Sequence, residues 1–365
     1  MEPIRVLQVV TIMNRGGLET MLMNYYRKLD KSKIQFDFMT NRVERGHYDD
    51  EIEALGGKIY RLSPIKPGKY NKYFKELDNF FNEHKEYKVV HSHINENSGF
   101  VLKAAKKAGI ECRIAHSHLS DLKLDYKYPF RVYARRNLKG NVSDYFACSK
   151  RAGEWLFGKD ISNSGKVTVL NNAVDTEKFR FNEEVRNNIR RKLDIEGKKV
   201  IGHVGRFNPQ KNHEFLIDVF NEIYKKDKDI VLLLVGDGYL KEKIEEKVNK
   251  LGLDKSVEFL GVREDIPELM QAMDLFLFPS QFEGLAVVMV EAQAAGLKVI
   301  TSTKESDITN NVEFIDLSKG AEYWADIVLN SDFKKRDDIN LMVKKGYDST
   351  NNVKWLSDFY LKKYV

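Results

Sequence analysis

Residues 199–235 read KVIGHVGRFNPQKNHEFLIDVFNEIYKKDKDIVLLLV. An apolar run, Lys199–Val204, passes through a polar turn into a helical stretch and then into a second apolar run, Ile230–Val235. Strands that are apolar throughout are buried on both faces, and helices set between them mark a parallel sheet covered on both sides. The same alternation extends in both directions. Toward the N-terminus, strands are predicted at 4–11, 36–39, 58–62, 89–91, 112–115 and 145–148. The first helix, 18–29, carries Leu18, Met21, Leu22, Tyr25 and Leu29 on one face. A second series opens at 167–170 and runs through Lys199–Val204, Ile230–Val235, 257–260, Leu275–Phe278 and Lys298–Thr301. Two such series predict an α/β protein of two doubly wound, Rossmann-like domains. The polar run Ser162-Asn163-Ser164-Gly165 places the boundary, giving domains at 1–164 and 165–345. The polar segment 175–191 is a candidate hinge. A terminal segment, 346–365, carries Trp355, Leu356, Phe359 and Tyr360 at helical spacing, which marks a docking helix.

Composition narrows the class. A length of 365 residues suits two or three domains, and 42% hydrophobic with 31% charged residues excludes general disorder. A mean hydropathy of −0.47 and the absence of any apolar run near 18 residues exclude a membrane-spanning helix. No secretory signal is expected at MEPIRVLQVVT, and two cysteines, Cys112 and Cys148, make no disulfide framework. The expected setting is cytoplasmic. A net charge of +6 suits a phosphate-bearing ligand or an anionic membrane surface, and it is too diffuse for nucleic acid.

Ligands of parallel α/β sheets bind beyond the carboxyl ends of the strands, so the residues there are the candidates. After the first strand, Gly16-Gly17 opens a helix, where bare backbone N–H groups can approach an anion. His91-Ser92-His93 and His116-Ser117-His118 stand at consecutive strand ends. Read as adjacent positions of alternating direction, each pair sends one ring toward the ligand and one into the protein. His118 is the better ligand candidate and no metal is expected, with a zinc-type site the alternative. In the second half Gly205 precedes Arg206 and Lys211, a planar fork and a point charge suited to a diphosphate. The run PSQFEGLAVVMVEA, 279–292, joins a strand to an apolar helix. Glu291 is the odd carboxylate on that helix; sugar hydroxyls or a neighbouring cation would satisfy it. Glu283 precedes the helix, where its dipole favours an anion. Gly236-Asp237-Gly238 follows another strand, and Arg263 could stack on a base. Segment 121–139 sets six Lys/Arg against two acids, with Lys127, Arg131 and Arg135 every four residues and aromatics between them. A basic aromatic helix of that kind suits an anionic membrane, and a solvated helix face is the alternative.

Taken in order, the Gly-Gly turn, the HSH strand end, Gly205-Arg206…Lys211 and Glu283-x7-Glu291 resemble the family 4 retaining glycosyltransferases, closest to the bacterial capsule and exopolysaccharide type. Residues 169–175, VLNNAVD, are similar to that family's P-N-G-V-D strand, with Asn171 for proline and Ala173 for glycine. The resemblance implies a GT-B fold: two Rossmann-like domains facing across a cleft, an acceptor-binding one first and a nucleotide-sugar-binding one second, with the last helix packing back on the first. It implies a hexosyltransferase that takes a nucleotide-diphosphate sugar, a UDP-sugar above all, and needs no metal or other cofactor. Carried over by position, Arg206 and Lys211 hold the diphosphate and Glu291 the ribose hydroxyls. Glu283 contacts the donor sugar, with Gly284, Leu285 and Ala286 beside it. His118 lies near the transferred sugar, and Gly16, Gly17, Gly205 and Arg263 complete the donor set. Leu285-Ala286 departs from the commoner residues at those positions.

Breaking a glycosyl–phosphate bond builds negative charge on the leaving diphosphate, which Arg206 and Lys211 would stabilise. The leaving phosphate itself could take the acceptor proton on the same face. The reading is therefore a retaining transferase building a cell-surface glycan on a lipid-linked acceptor, peripheral to the inner face of the membrane. Two alternatives share the architecture: a nucleotide-sugar epimerase, and a non-catalytic nucleotide-sugar-binding protein.

Overall fold

The computed structural model describes residues 2–66, 70–119, 128–283, 286–302 and 307–364. Two compact units divide the chain, one of Met1–Ala173 with Ser349–Val365, the other of Val174–Asp348. Each is built on its own parallel sheet. In the first unit β1 (Ile4–Val10), β2 (Ile34–Thr40), β3 (Ile59–Arg61), β4 (Val89–Ser92), β5 (Cys112–Ser117), β6 (Asp144–Ala147) and β7 (Val167–Val169) lie in the order β3-β2-β1-β4-β5-β6-β7. All neighbours run parallel, with Ile4 opposite Ile34 and Val6 opposite Val89. In the second unit β8 (Lys199–Val204), β9 (Ile230–Val235), β10 (Val257–Gly261), β11 (Leu275–Phe278), β12 (Lys298–Thr301) and β13 (Val312–Phe314) lie in the order β10-β9-β8-β11-β12-β13, again all parallel.

β9 and β11 are apolar throughout because both faces are covered, and every residue of β2, β9 and β11 is buried. Tyr73, Phe81, Val90 and Val101 meet in the first core, and Ile201, Phe220, Leu232 and Trp324 in the second. Fully burying side chains of this size contributes about 1.5–3 kcal/mol each. In both sheets the strand order reverses beside the first strand, between β1 and β4 and between β8 and β11. Ligands of such sheets bind in the crevice at that reversal.

Three sequence expectations are corrected here. Residues 167–169, expected to open the second series, pair with β6 and close the first sheet. The polar run 162–165, expected to place the domain boundary, is the end of the helix Lys159–Asn163 and its turn, where Gly165 takes φ +75, and lies inside the first unit, which runs on to Ala173. Polarity marked a helix terminus, which also needs polar groups. The polar segment 175–191, a candidate hinge, folds into the helices Thr176–Phe179 and Glu183–Lys192 of the second unit. There Arg190 lies 2.6 Å from Asp274, and Arg186 pairs with the same carboxylate.

The terminal helix, Ser349–Tyr364, belongs to the first unit and packs on the helix Gly17–Lys28 and on β1 and β4. Tyr360 is fully buried, and the Phe359 and Trp355 rings sit 5.2 and 5.8 Å from Phe146.

Candidate functional site

In the second unit the loops after β8, β9 and β11 are laced together by their own backbone groups. Gly205 N–H donates to Val235 O (2.9 Å) and Phe207 N–H to Asp237 O (3.0 Å). Gly236 sits at φ +136, and a Cβ there would overlap the Gly205 carbonyl oxygen, so glycine is required at that approach. The Asn208 side chain caps the turn Pro209–Lys211 by accepting from Lys211 N–H (3.1 Å). Asn212, in the left-handed region at φ 57, donates from Nδ2 to Pro279 O (3.1 Å). Across the strand reversal, Gln281 N–H donates to Gln210 O (2.8 Å) and Gln210 Nε2 to Phe282 O (3.1 Å).

This lacing brings Lys211 to Glu283, 72 residues away in sequence. The ammonium Nζ lies 2.7 Å from Glu283 Oε1 and 4.4 Å from the centre of the Phe278 ring, with only 15% and 8% of the two charged side chains exposed. A shielded pair of this kind resists loss of either member, because the survivor is left as an uncompensated charge. A phosphate oxygen offers Lys211 an equivalent partner. Arg206 is exposed and makes no ion pair among the described residues. A Cβ on Gly205 would press on the Lys211 side chain and on His203 Nε2, at 3.2 and 3.0 Å.

Glu291 lies on the helix Val287–Ala294, whose N-cap is Ala286. It is buried, and its carboxylate has no hydrogen-bond or ion-pair partner among the described residues. Burial alone pushes its pKa up to about 7. Gly284 and Leu285 lie outside the described residues. Arg263 is drawn to Asp265, with Nε and Nη2 at 2.7 and 2.6 Å from its carboxylate.

In the first unit Gly16 is the N-cap of the helix Gly17–Lys28 and supplies no side-chain cap. The two His-x-His pairs differ from expectation. Residues i and i+2 of a strand share a face, so the rings of His91 and His93 stack at 4.2 Å and those of His116 and His118 lie tilted at 4.1 Å. It is Ser92 between them that points away, to Ser98 Oγ at 2.9 Å. Across the strands His91 Nε2 meets His116 Nδ1 at 3.1 Å, and His93 Nδ1 meets His118 Nε2 at 2.9 Å. Burial drives all four imidazoles below their ordinary range, His118 to about 3, and so keeps them neutral. His118 stands one residue beyond β5, and its backbone N–H donates to Asn95 Oδ1 (2.9 Å). His91, His93 and His116 place ring nitrogens within 4.8 Å of one another, the one grouping among the described residues with metal-ligand spacing. The inner nitrogens, however, face each other at hydrogen-bond distance.

Of the basic segment, residues 121–127 lie outside the described residues. Arg131 and Arg135 of the helix Tyr128–Arg136 turn toward the protein, to Glu96 (3.9 Å) and to Leu156 O (3.1 Å), so they do not form an outward stripe. Tyr128, Tyr133, Arg136 and Lys139 are the exposed members.

Several residues at these sites escaped the sequence reading. Gln8, a lone amide in an apolar strand, bonds to His93 and Tyr360. His203 donates from Nδ1 to Leu277 O (2.9 Å), and His213 stacks on Phe207 at 4.0 Å with neither ring nitrogen bonded. Burial lowers them to about 4 and about 2. Their signal was a polar ring inside or beside a strand otherwise apolar.

Known proteins match this chain at both ends. Residues 15–178 match the family Glycosyltransferase Family 4, and 185–309 match Glycosyl transferases group 1. EpsF of Bacillus subtilis, named as a glycosyltransferase, is 36% identical over 98% of this chain and 96% of its own. CapH of Staphylococcus aureus, a capsular polysaccharide biosynthesis glycosyltransferase, is 26% identical over 99% of each. An Escherichia coli UDP-Gal:α-D-GlcNAc-diphosphoundecaprenol α-1,3-galactosyltransferase is 27% identical over 77% of this chain and 76% of its own. Among solved structures, Anabaena HepE in complex with UDP-glucose superposes with a TM-score of 0.79 at 18% identity, covering 98% of this chain and 99% of that one. The fold is that of the GT-B glycosyltransferases.

Proposed function

Because this chain belongs to the family 4 glycosyltransferases, we propose that it moves a hexosyl unit from a UDP-sugar to a lipid-linked precursor of a capsule or exopolysaccharide, with retention of anomeric configuration and without a metal ion. The observation that carries the reading is the shielded Lys211–Glu283 pair at the strand reversal of the second sheet. An arriving diphosphate takes over Lys211, and Arg206 closes on it from solvent; the two cations balance the charge of the leaving group, a role that a divalent ion would otherwise fill. Glu283, released from Lys211, accepts hydrogen bonds from hydroxyls of the donor sugar. Gly284, Leu285 and Ala286 line that sugar, and the buried carboxyl of Glu291 takes the ribose hydroxyls that its apolar helix cannot replace. Gly205 gives the diphosphate room, Arg263 stacks on the base after leaving Asp265, and Gly16, Gly17 and His118 meet the transferred sugar and the acceptor.

Support for the donor is the UDP-glucose in the HepE complex, and support for the acceptor is the diphosphoundecaprenol in the name of the Escherichia coli relative. No helix among the described residues is long and apolar enough to cross a membrane. In this reading the enzyme meets its lipid acceptor at the inner face, and the exposed Tyr128, Tyr133, Arg136 and Lys139 are its contact.

The test is a thermal-stability panel of nucleoside diphosphates, their sugars and NAD(P), followed by transfer assays in EDTA. UDP and one UDP-hexose raise Tm; a saturating ligand at 100 times its Kd adds about 2.7 kcal/mol. Transfer persists in EDTA, and the anomeric proton of the product matches that of the donor. Conversion of the UDP-hexose without acceptor would make the protein an epimerase, and binding without turnover would make it a sensor.

A further inference from the structure

Two hydrogen-bond chains start at one buried amide. Gln8 is fully buried on β1 and its two side-chain ends have different partners: Oε1 lies 2.9 Å from His93 Nε2, and Nε2 lies 3.3 Å from Tyr360 Oη. A carbonyl oxygen only accepts, so His93 carries its proton on Nε2. A neutral imidazole then has a bare Nδ1, and the ring facing it at 2.9 Å, His118, must donate from Nε2. His118 Nδ1 is left as an unprotonated nitrogen, covered and without a partner among the described residues. The second chain runs the other way around the same amide. Gln8 Nε2 donates to the Tyr360 oxygen, whose own proton has one acceptor, His91 Nδ1 at 2.6 Å. His91 therefore donates from Nε2 to His116 Nδ1, 3.1 Å away, and His116 ends the chain with an unpartnered Nε2–H. All four histidines thus hold the Nε2–H tautomer. Turning the amide over reverses every bond and puts all four in the Nδ1–H form.

We propose that Gln8 is a positioning residue that sets, through His93, the tautomer and ring orientation of His118, the histidine that the glycosyl-transfer reading puts beside the transferred sugar. The identity of that ligand rests on the glycosyl-transfer reading; the proton arrangement does not. Tyr360, from the terminal helix, ties the second pair to the same amide, and this gives that helix a part in ordering the histidines beyond closing the core.

The experiment reads two-bond proton–nitrogen correlations on full-length protein with 15N-labelled histidine, with no substrate present. The expected result is the Nε2–H tautomer at His91, His93, His116 and His118 together. Tyr360→Phe is expected to disturb His91 and His116 while leaving His93 and His118 as they are. Gln8→Leu is expected to release both pairs and to lower kcat/KM for transfer by on the order of tenfold to a hundredfold. An Nδ1–H tautomer at any of the four in the wild type overturns the proposal, as does a stoichiometric transition metal in place of the inner protons. Unchanged tautomers in Gln8→Leu would also overturn it. Should Gln8→Leu fail to fold, the wild type and Tyr360→Phe carry the test. The tautomers are read without turnover, so an error in the assigned activity would leave them untouched.

Discussion

Where β1 meets β4 in the first sheet, the titratable groups at the carboxyl ends are imidazoles, all held neutral by burial. Where β8 meets β11 in the second, the groups are an ammonium, a carboxylate and an exposed guanidinium, with Lys211 Nζ 2.7 Å from Glu283 Oε1. The strand order is the same in both places. Two copies of one scaffold thus carry opposite electrostatics at equivalent positions. A neutral site with bare and protonated nitrogens discriminates among hydroxyls, and a site with exchangeable ion pairs receives a charged group. That division of labour suits a transferase, which moves a sugar to an acceptor and lets the nucleotide diphosphate leave.

The charged half breaks the comparison most sharply. Lys211→Ala is expected to lower kcat/KM for transfer by about 10²–10³-fold, the usual cost of removing one group that stabilises developing charge. It also leaves Glu283 shielded and unpaired, so a fall in Tm accompanies the loss. Lys211→Arg keeps the charge and should recover part of both. Transfer at full rate in Lys211→Ala would remove the functional meaning of the pair. Steady-state kinetics beside a melting curve separates the two effects.

Next in size is Glu291. A carboxyl whose pKa rises from 4.5 to about 7 on folding binds more protons in the native state between those values. Its contribution therefore favours the folded protein below pH 4.5 and is lost as pH climbs toward 7, a penalty of about 3 kcal/mol at higher pH. Glu291→Gln removes this slope. Without ligand the variant should be more stable than the wild type at pH 8 and lose that advantage at pH 5, as urea titrations at both values would show. UDP binding should weaken at the same time, since Gln supplies one acceptor oxygen for two ribose hydroxyls. Parallel stability in the two proteins at both pH values would mean that the buried carboxylate is compensated after all.

Much of the scaffold was readable because its signal is local. β9 and β11 are unbroken apolar runs, and no other environment explains IVLLLV between charged helices. Lys211 and Glu283 were each identifiable from position at a strand end, though nothing in sequence said that they touch. Errors arose where one signal has two physical causes. The polar run 162–165 was a helix end inside the first unit and not the domain boundary, and Arg131 and Arg135 recur at helical spacing while pointing at Glu96 and the Leu156 carbonyl. The histidines were misjudged by strand geometry, since His91 and His93 share a face. Gln8 and Tyr360 were beyond reach, being 352 residues apart and joined only by the fold.

A smaller effect tests how the charged half is shaped. Gly236→Ala would force a side chain into φ +136 and against the Gly205 carbonyl oxygen, displacing the turn that leads to Arg206 and Lys211. Strain of that kind costs about 1–3 kcal/mol. UDP affinity should fall with Tm, because the loops after β8 and β9 are bonded together. A loss of stability with unchanged UDP affinity would show that the turn is scaffold alone.

Arg263 gives the smallest change and marks where the charged site ends. It is spent on Asp265, two residues on, with both side chains more than a third exposed or nearly so. Such pairs contribute under about 1 kcal/mol, so Arg263→Ala should leave Tm almost unmoved. Its effect on UDP binding is then a clean measure of stacking on the base, because no structural loss confounds it. Calorimetry with UDP against uridine-free pyrophosphate isolates that term. A severalfold loss with UDP and none with pyrophosphate places the base against Arg263. Equal binding of UDP by both proteins confines the charged site to Arg206, Lys211 and Glu283, around the strand reversal itself.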